Sequence, residues 1–106
     1  IYKKTKILEN NSYALIKSSL THFTKQMCSY YSKNNIRINT VCPGGVQSKN
    51  DKNQSKQFLK NYNSNVPIGR LAKPEEIASC IIFLSMDVSS YITGSTLIVD
   101  GGWTSI

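Results

Sequence analysis

Tyr13 and Lys17 stand four residues apart in Ser12-Tyr13-Ala14-Leu15-Ile16-Lys17, a spacing that puts both on one face of a helix, about one turn apart. A free phenol ionises near pH ~10, too high for ready proton exchange near neutrality. An ammonium a few ångströms away favours the phenolate, and an acid/base group poised nearer the working pH transfers protons more efficiently. The pair has the parts for moving a proton to or from a carbonyl or alcohol oxygen. Tyr2 and Lys6 share the spacing, so spacing alone does not select a pair. Context does: Tyr2 runs into Lys3, Lys4, Thr5 and Lys6 without helical periodicity, whereas Tyr13 opens a long amphipathic run.

The elements that must position the pair can be read outward from it. Residues 1–11 read as a loop, and Asn10, Asn11 and Ser12 are capping residue types that predict a helix from about Tyr13. Ile16, Leu20, Phe23, Met27 and Tyr30 then recur at steps of four and three, an apolar stripe of helical period. Asn34 and Asn35, tolerant of the left-handed conformation, close that helix over 13–34. Ile36 to Cys42 is short, β-branched and bounded by turn residues, which predicts a strand. Pro43-Gly44-Gly45 ends it: proline cannot donate to a ladder, and glycine lets a ligand approach the backbone. Open α/β sheets keep their ligand crevice at such strand ends.

Residues 47–65 are strongly polar, with Phe58, Leu59 and Tyr62 available to anchor a short helix. The stretch reads either as a lid that orders over ligand or as a variable surface excursion. After the loop Val66-Pro67-Ile68-Gly69-Arg70, Pro74 opens a second helix, and Glu75 and Glu76 complement the positive end of its dipole. Ile77, Cys80, Ile81 and Leu84 predict its buried stripe, broadened by Ile82 and Phe83, with an end near Met86 or Asp87. A connector over 89–94 leads to a second strand from Thr96 to Asp100, an Asp100-Gly101-Gly102 turn, and a tail carrying Trp103.

Composition narrows the function classes. At 106 residues the chain makes one small domain. The charge of +7 is carried almost wholly by lysines scattered among Asn and Ser, with arginine only at Arg37 and Arg70. No dense basic block is interleaved with aromatics, as single-strand binding requires, so no nucleic-acid partner is expected. Cys28, Cys42 and Cys80 form no Cys-x-x-Cys pair, and His22 is the single histidine. A zinc site, a disulfide framework and a Cys-His or Ser-His-Asp centre are all disfavoured, and free thiols in a reducing cytoplasm are expected. No run is long and apolar enough for a membrane span, and the opening residues do not read as a signal peptide.

Further motifs follow the Tyr-Lys pair in fixed order: Ile36-Arg37-Ile38-Asn39-Thr40-Val41-Cys42-Pro43-Gly44, Pro67-Ile68-Gly69-Arg70, Lys73-Pro74-Glu75-Glu76-Ile77-Ala78, Tyr91-Ile92-Thr93-Gly94 and Val99-Asp100-Gly101-Gly102. Over roughly residues 12–103 the chain closely resembles the carboxyl-terminal half of the classical short-chain dehydrogenases/reductases. The region around Tyr13 is most similar to bacterial members that act on sugars for surface-polysaccharide or flagellin glycosylation. The resemblance implies an α/β fold, the carboxyl-terminal part of a Rossmann-like doubly wound parallel sheet, with two strands and two main helices. It implies one partial domain over 1–106, with 44–65 as the substrate-lid region. Tyr13 matches the family's general acid/base, and Lys17 the lysine that assists it and holds the nicotinamide ribose. Pro43, Gly44 and Val46 match the turn along the nicotinamide, and Ser48 stands where the family usually has a threonine. The implied reaction is reversible hydride transfer between NAD or NADP and a small carbonyl/alcohol pair, in a cytoplasmic homo-oligomer, dimer or tetramer.

The departures are equally specific. The family's Gly-rich dinucleotide turn, its NAD-or-NADP selecting residue and its helix-borne relay asparagine have no counterpart in these residues. Its catalytic serine lies about a dozen residues before the tyrosine, a count that falls at or just before Ile1, and Ser12 is too close to serve. The chain therefore reads as lacking the amino-terminal half, with one edge of strand 36–42 left unpaired. Alone it is expected neither to bind cofactor tightly nor to turn over substrate. The alternative is an inert truncated member acting as a structural or oligomerisation module.

Overall fold

The computed structural model describes residues 7–48 and 55–105. In chain order they form α1 (Ile7–Tyr31), β1 (Thr40–Pro43), α2 (Lys56–Asn65), α3 (Pro74–Ser85) and β2 (Thr96–Val99), with 3-10 turns at Ser32–Asn34, Asp87–Ser89 and Trp103–Ser105. β1 and β2 pair in a two-stranded sheet. The Thr40 N–H donates to Ser95 O at 2.9 Å and the Gly44 N–H to Val99 O at 3.0 Å. Both strands thus advance together, and the pair is parallel. This is the expected α/β class. The chain divides into two compact units, one ending at Thr40 and including Ile92–Ser95, the other made of Val41–Tyr91 and Thr96–Ile106.

In the first unit α1 runs from Ile7, earlier than expected. Asn10, Asn11 and Ser12 lie inside the helix and are not its cap, so the loop expected over 1–11 is absent from 7–11, and 1–6 lie outside the described residues. Polar residues are tolerated in this helix because their hydroxyls return to the preceding turn. Ser18 donates to Leu15 O at 3.0 Å, Ser19 to Ile16 O at 2.7 Å and Thr21 to Ser18 O at 2.8 Å. The α-helix ends at Tyr31, a 3-10 turn follows, and Asn35 closes it at φ 59°, the left-handed stop that asparagine permits. The apolar stripe has the expected period but lies open, with Ile16 59% and Phe23 54% exposed. Among the described side chains of α1, the buried one is polar. Thr24 is 8% exposed, and its Oγ1 lies 2.6 Å from Thr40 Oγ1.

The strand expected over 36–42 is shorter and shifted: β1 starts at Thr40 and includes Pro43. Side chains supply the pairing along 36–39. The Ile38 N–H donates to Thr93 Oγ1 at 3.1 Å, the Ser95 N–H to Asn39 Oδ1 at 3.0 Å, and Asn39 Nδ2 to Ile92 O at 2.9 Å. An amide side chain that carries both donor and acceptor can stand in for a ladder rung, and here the regular strand begins one residue after it.

In the second unit Pro74 is the first-turn residue of α3, as expected, with Glu75 and Glu76 behind it. Glu76 Oε2 accepts the Lys73 N–H at 2.7 Å. The Arg70 guanidinium grips the same carboxylate with two bonds, Nη1 to Oε2 at 2.8 Å and Nη2 to Oε1 at 2.7 Å. The short helix expected around Phe58, Leu59 and Tyr62 is α2, capped by Ser55 Oγ on the Phe58 N–H at 3.1 Å; residues 49–54 of the polar stretch lie outside the described residues. Among the described residues, Val66 and Leu71 are the buried apolar ones. The α3 stripe is not buried as expected. Ile77, Cys80 and Leu84 are half-buried, while Ile81, Ile82 and Phe83 are exposed, because two four-residue strands offer little apolar surface to cover a helix face.

Two outcomes follow. Arg70, and next the Lys73 N–H, holds the Glu76 carboxyl at about 2, below its ordinary 4.5. A carboxyl depressed in the fold contributes stability that is whole above the unfolded value and is lost as pH falls through the folded one. In urea unfolding of the full chain, wild type should exceed Glu76→Gln by a constant margin above about pH 5, and that margin should vanish near pH ~2. A margin independent of pH would dissociate Glu76 ionisation from stability. For Gly44→Ala, the new Cβ would sit 2.8 Å from Asp100 Cα, a backbone atom, and overpacking of this kind costs about 1–3 kcal/mol. A wild-type urea midpoint for this variant would show that the close approach is no constraint.

Candidate functional site

On α1, Lys17 Nζ lies 5.5 Å from the centroid of the Tyr13 ring, within cation–π range of its face. The expectation from spacing holds: one helix turn brings the two together, and no tertiary contact is needed. Tyr13 is 62% exposed.

The second candidate group is the turn after β1. The Gly44 N–H is used by Val99 O at 3.0 Å, and the Gly45 carbonyl accepts the Ala72 N–H at 2.9 Å. The Gln47 N–H donates to Ala72 O at 2.8 Å, making an isolated parallel bridge between Val46 and Ala72. In such a bridge the residue between the two bonded positions turns its own N–H and C=O the other way. Val46 therefore presents one donor and one acceptor on the side away from Ala72. Pro43 precedes this turn as the last residue of β1, and Ser48 follows it, exposed. Tyr13 and Lys17 belong to the first unit, and Pro43, Gly44, Val46 and Ser48 to the second.

Side chains to which the sequence reading gave no part in the site surround this turn. The Gly45 N–H donates to the Tyr62 hydroxyl at 2.6 Å, and Tyr62 stacks on Trp103 with centroids 5.1 Å apart and planes at 15°. Gly45, Tyr62, Arg70, Glu76 and Asp100 line a cleft of about 130 Å³. Its charges are internally satisfied. Arg70 is held by Glu76. The Asp100 oxygens accept the Gly102 and Thr104 N–H groups at 2.9 Å each. The Thr104 hydroxyl and then its N–H hold the Asp100 carboxyl below the usual carboxylate range. The cleft is thus a brace for the turn. Two signals for it were in the sequence: a second glycine after Pro43, and an arginine six residues before Glu76.

The three cysteines are free thiols. Cys28 Sγ lies 3.3 Å from both Ser32 Oγ and Thr93 Oγ1, and these hydroxyls lower its pKa, Ser32 more than Thr93. Among the described residues no three His, Cys, Asp or Glu side chains gather as metal ligands, and no helix is long and apolar enough to cross a membrane.

Residues 2–104 match the family model described as "Enoyl-(Acyl carrier protein) reductase". The chain is 38% identical over 91 residues to 3-oxoacyl-[acyl-carrier-protein] reductase of Chlamydia trachomatis, covering 86% of this chain and 37% of that protein. It superposes on a short-chain dehydrogenase from Leptospira borgpetersenii with bound NAD+ at a TM-score of 0.81 and 37% identity, covering 89% of this chain and 35% of that one. A 4-hydroxyisoleucine dehydrogenase complexed with NADH gives the same TM-score at 34% identity, covering 89% of this chain and 40% of that one. The chain spans well under half the length of these relatives. A match over almost every residue, in fold as in sequence, makes the conclusion plain: the chain belongs to the short-chain dehydrogenase/reductase family.

Proposed function

We propose that this chain supplies the proton-transferring, nicotinamide-facing part of an NAD(P)-dependent oxidoreductase that interconverts a small carbonyl and its alcohol. The observation that carries the proposal is the seating of Val46. Its N–H and C=O face away from the Ala72 bridge and form a donor-acceptor pair that complements the C=O and NH2 of a nicotinamide carboxamide. The residues present thus fit the nicotinamide end of the cofactor, with Pro43 and Gly44 lining the approach and Ser48 offering a hydroxyl. NADH or NAD+ is bound in the structures of two relatives, which supports the same cofactor class.

A nicotinamide dinucleotide, when bound, donates or accepts the hydride. Every other task falls to the chain's own groups. In reduction Tyr13 Oη gives its proton to the substrate oxygen as the carbonyl becomes an alcohol, and in oxidation it takes that proton back. Lys17 has its Nζ over the tyrosine ring and is the group to bond the nicotinamide ribose. The 44–65 region is assigned to the substrate side. The exposed stripe of Ile16, Leu20 and Phe23 supports association with further copies, and three free thiols suit a cytoplasmic setting.

Tyr13→Phe tests this reading in the gene product that carries the sequence, assayed by NADH or NADPH absorbance with a 3-oxoacyl thioester and a panel of small ketones. Loss of a general acid/base removes about 10²–10⁴-fold of rate. The variant should lose that much kcat while its urea midpoint and nucleotide affinity stay at wild-type values. Turnover within a few-fold of wild type would take the role from Tyr13. No turnover by the wild-type protein with any of these substrates, together with a stable oligomer, would favour the structural-module alternative.

A further inference from the structure

The two peptide planes that flank Gly45 are pinned from different sides. The amide of the Gly44–Gly45 plane donates its N–H to Tyr62 Oη at 2.6 Å. The Gly45–Val46 plane is held through its carbonyl, which accepts the Ala72 N–H at 2.9 Å. That second plane carries the Val46 N–H. Glycine has the widest backbone freedom of any residue, so without a bond on each side the direction of the Val46 N–H would spread with the Gly45 dihedral angles.

Gly45 and Tyr62 are also complementary in shape. A Cβ built on Gly45 would lie 2.6 Å from both Cζ and Oη of Tyr62, and 2.6 Å from Leu71 Cδ2. The hydroxyl reaches the amide because position 45 has no side chain. The tyrosine is held in turn by its ring, which stacks on Trp103 and lies 6.1 Å from Phe58 at 30°. Tyr62 sits on α2, inside the region read from the sequence as a lid.

We propose that Tyr62 is a positioning residue for the nicotinamide turn: its hydroxyl fixes Gly45, and through Gly45 the orientation of the Val46 amide. α2 is therefore latched to the turn by this residue, and a displacement of α2 that breaks the latch changes how the turn presents its amide. The inference rests on the oxidoreductase reading above for its functional consequence, though not for the latch itself.

Tyr62→Phe in the full chain removes one oxygen and keeps the ring on Trp103, the single tryptophan, so an unchanged tryptophan emission verifies that the fold is intact. The Gly45 amide, freed of its acceptor, should exchange with solvent about fivefold faster by NMR, the worth of one net hydrogen bond. In the gene product that carries the sequence, the dissociation constants of NADH and NADPH should rise by about the same factor, with kcat at saturating cofactor within about twofold of wild type, a split between KM and kcat that marks positioning of bound cofactor. Gly45→Ala evicts the hydroxyl by sterics. It should weaken nucleotide binding likewise while shifting Trp103 emission. Unchanged Gly45 exchange in Tyr62→Phe overturns the latch. Faster exchange with unchanged nucleotide affinity overturns the positioning role and leaves the oxidoreductase reading standing. A wild-type gene product that binds neither nucleotide sinks that reading and the positioning role together, while the exchange rate still reports the latch.

Discussion

The main chain between Gly44 and Gln47 is held from two sides by hydrogen bonds, to Val99 on β2 and to Ala72 before α3. Each such bond is worth only about 1 kcal/mol net, so a fixed turn needs several of them at once. Here two glycines make that possible. Gly44 admits the Asp100 backbone, and Gly45 admits the Tyr62 hydroxyl. A side chain at either position would collide with the group that now supports the turn. The entropy lost in ordering two glycines is offset by contacts no larger residue could allow.

Support for the turn continues outward through Ala72. The Arg70 guanidinium spans this segment, donating to Leu71 O at 3.0 Å and to the Glu76 carboxylate, and Leu71 is buried. Glu76 also ties down the Lys73 N–H. Isolated exposed ion pairs contribute little, but this one is bidentate and joined to two backbone groups within four residues. Its role is geometric: it fixes the residues on both sides of Ala72, and Ala72 fixes Val46.

What the sequence made legible follows from how far each determinant reaches. Asn35 stops its turn, Pro74 and Glu76 open α3, and Asp100 folds the Gly101-Gly102 turn; each acts on residues next to it in the chain. The Tyr13–Lys17 approach is of the same kind. Most of the errors arose where a distant partner decides. Asn39 looked like a strand residue, yet its amide bonds Ile92 and Ser95 more than fifty positions away. One error was local: Asn10, Asn11 and Ser12 looked like caps, but Leu8 and Glu9, both good helix formers, precede them and α1 runs from Ile7. Tyr62 read as an apolar anchor because nothing near it in sequence marks its hydroxyl as the acceptor for Gly45. The stripes on α1 and α3 had the right period and the wrong burial, since periodicity selects a face and only tertiary partners cover it.

The two candidate groups therefore depend on different physics. The Tyr13–Lys17 geometry comes from 3.6-residue periodicity and survives wherever α1 stays helical. The Val46 geometry is tertiary, assembled from β2, Ala72 and Tyr62, elements spread from residue 62 to residue 99. A substitution that frays α1 near Tyr13 disturbs the approach of Tyr13 and Lys17 and leaves the turn's bonds in place. One that loosens α2 or the Arg70–Glu76 clamp reaches the turn and leaves the helix pair as it is. The two geometries are thus separable in this chain, because the bonds that fix one take no part in fixing the other.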